Sequence, residues 1–267
     1  MATAGKPLRE AYSGRMSTWS VGRYEAVAEF IAPIAIEVVA AVSAGPGTAL
    51  VDLACGTGSA ALHAAGLGAH VTGVDITPEL LAFAAAKPGG DAVEWVAADA
   101  SATGLPDAAF DAAVSNMGTI FVEPSTMVAE LARLLKPGGV LGFSTWVKAV
   151  DNPFFTPIVG VLGQPEPGPH SPDQWGVPEL VHARLDTDFA DVDIENRTLI
   201  WRFGSLADGL RFVTDESPVH VNIFSHLDDA TRARLVDAFA AAFTAHEAPD
   251  GTVAFDAPYA VITAHRR

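Results

Sequence analysis

Three aspartates stand where short apolar runs end. Asp52 lies in Leu50-Val51-Asp52-Leu53, Asp75 closes His70-Val71-Thr72-Gly73-Val74, and Asp99 follows Val93-Glu94-Trp95-Val96-Ala97-Ala98. The first run passes at once into Ala54-Cys55-Gly56-Thr57-Gly58 and then into the alanine-rich stretch Ser59 to Leu67. Gly56 and Gly58 let the backbone turn tightly and approach a ligand, so strand, turn and helix form a nucleotide cradle. A pyrophosphate on the helix N-terminus would be repelled by a carboxylate at the strand end. Asp52 therefore suits a cationic head, such as the ammonium of an amino acid. Gly56 to Ala61 also fits the dinucleotide pattern G-x-G-x-x-A, so a nicotinamide ligand stays open at this point. Asp75, about twenty residues beyond Gly56, stands where a carboxylate accepts from both ribose hydroxyls, a feature common to both ligands.

These acids need a parallel sheet to bring their strand ends together. Apolar spacing from Val27 to Val42 predicts a helix that contains Pro33 and ends at Gly45-Pro46-Gly47. Thr77-Pro78-Glu79 reads as a helix start with a hydroxyl N-cap. Leu105-Pro106 to Phe110-Asp111 leads into the strand Ala112 to Asn116, and the helix from Glu123-Pro124 to Leu135 presents Met127, Leu131, Leu134 and Leu135 on one face. Lys136-Pro137-Gly138-Gly139 closes that helix and turns into the strand Val140 to Ser144. Val150 to Pro178, with its prolines, reads as a loop-rich insertion. A short helix over Pro178 to Leu185, a sixth strand over Val192 to Phe203, helices around Ser205 to Val213 and Asp228 to Glu247, and a last strand over Gly251 to His265 complete the chain.

In 267 residues, 49% of them hydrophobic, the chain can bury one large domain. With 32 acidic against 16 basic residues and a net charge of −16, it offers no basic stripe for nucleic acid. The balance favours a small molecule, neutral or cationic. The single cysteine, Cys55, excludes an intrachain disulfide and a multi-thiolate zinc site, and reads as a small filler of the turn. No run reaches membrane-spanning length and Met1 to Glu10 is polar, so a cytoplasmic protein with no membrane partner is expected.

The phrases D-x-A-C-G-T-G, L-P-x-x-x-F-D and L-L-K-P-G-G-V-L, in this order, resemble the class I S-adenosylmethionine (SAM) dependent methyltransferases, in particular the group of the ubiquinone and menaquinone biosynthesis enzymes. The resemblance covers residues 48 to 146. It implies an α/β fold: a Rossmann-like, seven-stranded, mostly parallel sheet with an antiparallel last strand, helices on both faces and an acceptor cap after the fifth strand. It divides the chain into an N-terminal helical lid (1–47), a SAM-binding core (48–146), a cap (147–190) and C-terminal elements that complete the same domain (191–267). The cofactor residues it implies are Asp52, Ala54, Gly56 and Gly58 in the first loop, Asp75 and Ile76 after the second strand, and Asp99 for the adenine amino group. The backbone amide of Ala100 would contact an adenine nitrogen, Asn116 would hold the methionine portion or the acceptor, and Trp19 and Tyr24 would close over the cofactor or else pack the first helix onto the sheet.

The implied reaction moves a methyl from a sulfonium by in-line displacement, so the protein mainly aligns an acceptor and excludes water. A phenol, hydroxyl or amine acceptor gains from a general base. His170, His220 and His226 fall in or near the presumed cap, and His170, beside Ser171-Pro172 and Trp175, is the one assigned to that role. No cluster has metal-ligand spacing. Two other readings are a SAM-binding protein that transfers no methyl, such as a cyclase or scaffold, and a nicotinamide oxidoreductase, against which Asp52 argues.

Overall fold

The structure is a computed structural model that describes residues 19–164 and 170–267. The expectations for residues 1–18 and for Pro165, Pro167 and Pro169 lie outside the described residues. The elements begin with α1 (Tyr24–Ala41), β1 (Ala49–Leu53), α2 (Ser59–Gly66), β2 (His70–Asp75), α3 (Pro78–Ala85), β3 (Val93–Ala97), β4 (Phe110–Asn116), α4 (Pro124–Leu134) and β5 (Leu135–Trp146). There follow α5 (Thr156–Leu162), α6 (Pro178–Leu185), β6 (Phe189–Phe203), α7 (Leu206–Arg211), α8 (Pro218–Ser225), α9 (Asp229–Thr244) and β7 (Val253–Arg266). The chain divides into two compact units. The larger holds residues 28–147, 170–197 and 259–267, and the smaller holds the described parts of 1–27, 148–169 and 198–258.

The larger unit is built on a sheet of strand order β3-β2-β1-β4-β5-β7-β6. β1 pairs in parallel with β2 and β4, β2 with β3, and β4 with β5, whereas β7 runs antiparallel to β5 from Val140↔His265 to Trp146↔Tyr259. This is the seven-stranded, mostly parallel sheet expected from the sequence. Leu50, Val51 and Leu53 are completely buried, as a central parallel strand covered on both faces requires. The strand order reverses direction between β1 and β4, and ligands of such sheets bind in the crevice at that switch.

Two features of this unit correct the sequence reading. The hydroxyl of Thr77 makes no cap hydrogen bond at the start of α3, and its backbone amide is given to Asp75 instead. Lys136 to Gly139 does not separate helix from strand. β5 already pairs at Phe110↔Leu135 and resumes at Ala112↔Val140, so the Pro-Gly-Gly turn is a bulge inside the strand, with Gly138 at φ +79°. Asp111 anchors it. One carboxylate oxygen accepts from Lys136 Nζ at 2.6 Å and the other from the Ala49 amide at 3.0 Å, which ties the bulge to the start of β1.

In the smaller unit Phe154 is the centre of an aromatic core. Its ring lies 4.9 Å from Trp201, 5.1 Å from Phe255, 5.6 Å from Phe212 and 6.0 Å from Phe243, centroid to centroid. The segment after β5, read as irregular because of its prolines, here forms α5. Asn152 starts it by accepting the Phe154 amide on its side chain and the Thr156 amide on its carbonyl, and Pro157 sits in the first turn, where proline is tolerated. A further helix, α8, stands where the sequence predicts no helix, with Pro218 at its start.

His220 belongs to this core. Its Nε2 donates to the Phe154 carbonyl at 3.1 Å, so its Nδ1 accepts the Ser217 hydroxyl at 2.7 Å, and burial pushes its pKa down to about 4. The neutral ring is a structural brace, and His226, at the end of α8, meets the Asn222 carbonyl at 2.7 Å. A histidine whose folded pKa lies below its unfolded value of about 6.5 contributes stability above that value, which is lost as pH falls toward 4. The unfolding free energy is expected to drop by about 2 kcal/mol between pH 8 and pH 5 from this residue. Urea titrations of wild type and His220→Gln check it: the variant should lose most of that dependence, and an unchanged slope would contradict the buried neutral ring.

Candidate functional site

The glycine turn at the end of β1 is held by two carboxylates. Asp52 is 1% exposed, and its Oδ2 accepts the Ala61 amide of α2 at 2.9 Å. That helix begins after Gly58, which has no side chain to cap it, so the strand supplies the cap. Asp75 accepts the Gly56 amide on Oδ2 and the Thr77 amide on Oδ1, both at 2.8 Å. The loop and the start of α3 thus share one carboxylate.

Steric constraints shape the turn as tightly as the hydrogen bonds do. Ala54 and Met117, neither of them glycine, hold φ at +52° and +58° at the ends of β1 and β4, and strain of this kind collects at functional sites. The two loops interlock: a Cβ on Gly118 would stand 2.4 Å from the Ala54 carbonyl oxygen. Gly58, at φ +77°, faces Trp95 of β3, whose ring would lie 2.6 Å from an added Cβ. Trp95 in turn donates its indole N–H to the Gly90 carbonyl at 2.9 Å. It is a wall of the cradle, where the sequence predicts only a strand residue.

Burial leaves the charge in this site uncompensated. It pushes the Asp52 carboxyl up to about 8, the Ala61 amide opposing and Asp75 adding repulsion, and Asp52 Oδ1 is buried with no hydrogen-bond partner. Burial also raises the Asp75 carboxyl. The Cys55 thiol is pushed up by burial and by both acids, which matches a filler and not a reactive thiolate. A cationic group brought to Asp52 Oδ1 would complete its hydrogen bonding and return the carboxyl to its ionised form. An anionic pyrophosphate would not.

The remaining sequence-derived residues are distributed as follows. Asp52, Ala54, Gly56, Gly58, Asp75, Ile76, Asp99, Ala100 and Asn116 all lie in the larger unit, at the carboxyl ends of β1 to β4. Asp99 is exposed and caps its own turn through the Ser101 amide at 2.8 Å, while Ala100 is buried. Asn116 is braced on both sides of its amide. Nδ2 donates to the Ile31 carbonyl at 3.1 Å and Oδ1 accepts from Ser144 at 2.8 Å. Ser115, not among the residues expected at the site, joins the two strand ends by donating to the Leu53 carbonyl at 2.7 Å and accepting the Thr119 amide at 3.0 Å. A polar Ser-Asn pair closing an apolar strand was the available signal. His170 lies in the larger unit just ahead of a turn over Pro172–Gly176, with Nδ1 buried and unpartnered. Trp19 and Tyr24 belong to the smaller unit and meet edge to face at 6.1 Å.

Residues 51–143 match the family profile described as a methyltransferase domain. The chain spans about half the length of the first curated relatives it matches, among them an uncharacterized protein of Mycobacterium tuberculosis, 37% identical over 132 residues and covering 48% of each chain. A second uncharacterized protein of that organism is 31% identical over 196 residues, 70% of each chain. The demethylmenaquinone methyltransferase of Clavibacter sepedonicus is 39% identical over 110 residues, 39% of this chain and 45% of that one. Among solved structures, the YcgJ protein of Bacillus subtilis superposes at TM-score 0.56 with 18% identity, covering 87% of this chain and 98% of that one. The cyclase SpnF superposes at 0.53 with 24% identity, covering 88% and 81%. At such identities the superpositions report the fold alone.

Asp52 carries the testable consequence. An acid whose folded pKa is raised binds its proton more tightly when folded, so its contribution to stability falls as pH climbs from about 4 to about 8. Asp52→Asn keeps an acceptor for the Ala61 amide and removes the buried charge. It should be more stable than wild type at pH 8 by a few kcal/mol, and the gap should narrow as pH falls and close near pH 4. Thermal unfolding across that range measures it, and a variant less stable at pH 8 would overturn the electrostatic account.

Proposed function

Because the chain belongs to the class I SAM-dependent methyltransferases, we propose that it transfers a methyl group from SAM to a small-molecule acceptor. The observation that carries the reading is Asp52: a buried carboxylate with one oxygen unpartnered, at the foot of a glycine turn packed so closely that a Cβ on Gly58 would stand 2.6 Å from the Trp95 ring. This is a place for the ammonium of a methionine portion. When bound, SAM supplies a methyl on a positively charged sulfur, which departs by in-line displacement.

The chain's own residues bind and orient. Asp75 keeps lone pairs beyond the two it gives to Gly56 and Thr77, and it offers them to the ribose hydroxyls, with Ile76 packed beside the base. Asp99 and the Ala100 amide take the adenine edge. The Ala54 and Asn116 backbones border the sulfonium, since the Asn116 side chain is already committed. His170, with its unpartnered Nδ1, takes the proton of an acceptor that must lose one.

The acidic balance of the chain supports a small acceptor over a nucleic acid, and natural products are the class we assign. A second reading keeps SAM binding without transfer, since a cyclase shares this sheet.

Calorimetry with S-adenosylhomocysteine tests the site. Asp75→Ala should weaken binding by about 1–3 kcal/mol, the scale of a lost charge-assisted hydrogen bond, and unchanged affinity would remove Asp75 from it. Gly56→Val, at φ +54°, should bind none while remaining folded. Methyl transfer itself is read from isotopically labelled SAM incubated with candidate acceptors. S-Adenosylhomocysteine released in step with labelled product is the expected result, and conversion of an acceptor with SAM left intact would favour the second reading.

A further inference from the structure

Two donors stand without acceptors at the carboxyl end of β5. Trp175 is 3% exposed and its indole Nε1 is buried with no hydrogen-bond partner. Arg184 of α6 lies over that ring, its Cζ 4.5 Å from the centroid. Arg184 Nη2 donates to Gln174 Oε1 at 2.8 Å, whereas Nη1 is buried and unpartnered. The acid that acts on this guanidinium is Glu123, whose carboxylate is occupied by the Ser125 hydroxyl at 2.7 Å and the Thr126 amide at 2.8 Å. Among the described residues no carboxylate lies within ion-pair distance of Arg184.

The fold fixes where these donors sit. The Trp175 ring meets Phe143 of β5 edge to face at 5.3 Å, and Phe143 is in register with Ser115 of β4, whose hydroxyl reaches the end of β1. Gly176 abuts the last residue of β5, because a Cβ there would stand 2.3 Å from the Trp146 carbonyl oxygen. The donors are thus held at the carboxyl ends of β4 and β5, and His170 with its own unpartnered Nδ1 precedes the same turn.

A buried indole N–H and a buried guanidinium nitrogen without an acceptor are both costly, and an acceptor that carries charge relieves the two together. A neutral carbonyl would accept from these N–H groups and leave the half-buried guanidinium charge faced only by the Gln174 oxygen and the Trp175 ring. A planar or tetrahedral oxyanion satisfies both, since it can accept from Nη1 and from the indole N–H while its charge offsets that of the guanidinium. Resting on the methyl-transfer reading for its biological sense, we infer that the acceptor carries an oxyanion, a carboxylate or a phosphate, held by the Trp175 indole N–H and the Arg184 guanidinium. The net charge of −16 does not oppose this, because that charge acts at the range of the whole surface and the donors act at contact.

The test uses the indole N–H resonance of Trp175 in nitrogen-15-labelled full chain, assigned by its loss in Trp175→Phe. Sodium benzoate and inorganic phosphate are titrated separately, each against sodium chloride at equal ionic strength. The expected result is a saturable shift of this resonance by at least one of the two. Response to benzoate alone marks a carboxylate, and response to phosphate alone marks a phosphate. Arg184→Gln should raise the half-saturation concentration about tenfold or more, and Arg184→Lys should restore part of the affinity. No shift beyond the chloride control, or a shift unaltered in Arg184→Gln, overturns the inference. S-Adenosylhomocysteine added to the same samples reads the methyl-transfer proposal separately, through the amides of Gly56 and Gly58. Its failure to bind leaves the anion result to stand or fall alone.

Discussion

Two buried carboxylates hold the site together. Asp52 and Asp75 accept backbone amides from Ala61, Gly56 and Thr77, and so join the ends of β1 and β2 to the starts of α2 and α3. Each bond is charge-assisted when the acid is ionised, and each stands in a place that burial makes hostile to charge. The loop is therefore held by groups that lack a counter-charge of their own. Stability and ligand recognition meet in the same atoms, since a group brought to Asp52 that carries positive charge relieves what folding left unfavourable.

Around this pair the backbone is strained, and the strain is contained by contact. Ala54 and Met117 keep left-handed φ values at neighbouring strand ends, where Gly118 fits against Ala54 and Ser115 and Ser144 bond across the strands. Trp95 closes the opposite side against Gly58 and Gly73. A loop over-determined in this way presents its amides at fixed positions, which is what precise binding of a nucleoside requires. The edge beyond β4 is arranged differently. There a short turn and α6 carry donors that the fold does not satisfy, so that one edge of the sheet offers an acceptor-rich end and a donor-rich end.

The histidines show how environment decides chemistry. His220, one of three expected in or near the cap, is fixed in one tautomer by Ser217 and the Phe154 carbonyl and kept neutral by an aromatic core. It does in the smaller unit what an apolar residue would do, with two hydrogen bonds added. His170, with no such partners, keeps an open ring nitrogen.

What the sequence determined by itself was the sheet and the order of its acids. Buried parallel strands such as Leu50-Val51-Asp52-Leu53 and His70 to Asp75 are continuous apolar runs, and a glycine turn followed by a helix has one sterically favoured reading, so local pattern sufficed. The Phe-Asp and Lys-Pro-Gly-Gly phrases were legible as markers, yet only the structure shows Asp111 joining Ala49 to Lys136. Pairing between distant segments decided the rest. α5 and α8 are short, proline-started helices without periodicity enough to declare themselves, and packing in the smaller unit, as where α5 meets α9, stabilises them. That Asn116 is a brace, that Trp95 is a wall, and that Trp175 Nε1 and Arg184 Nη1 lack acceptors follow from which side chains the fold brings together, a property of three dimensions that no spacing along the chain encodes.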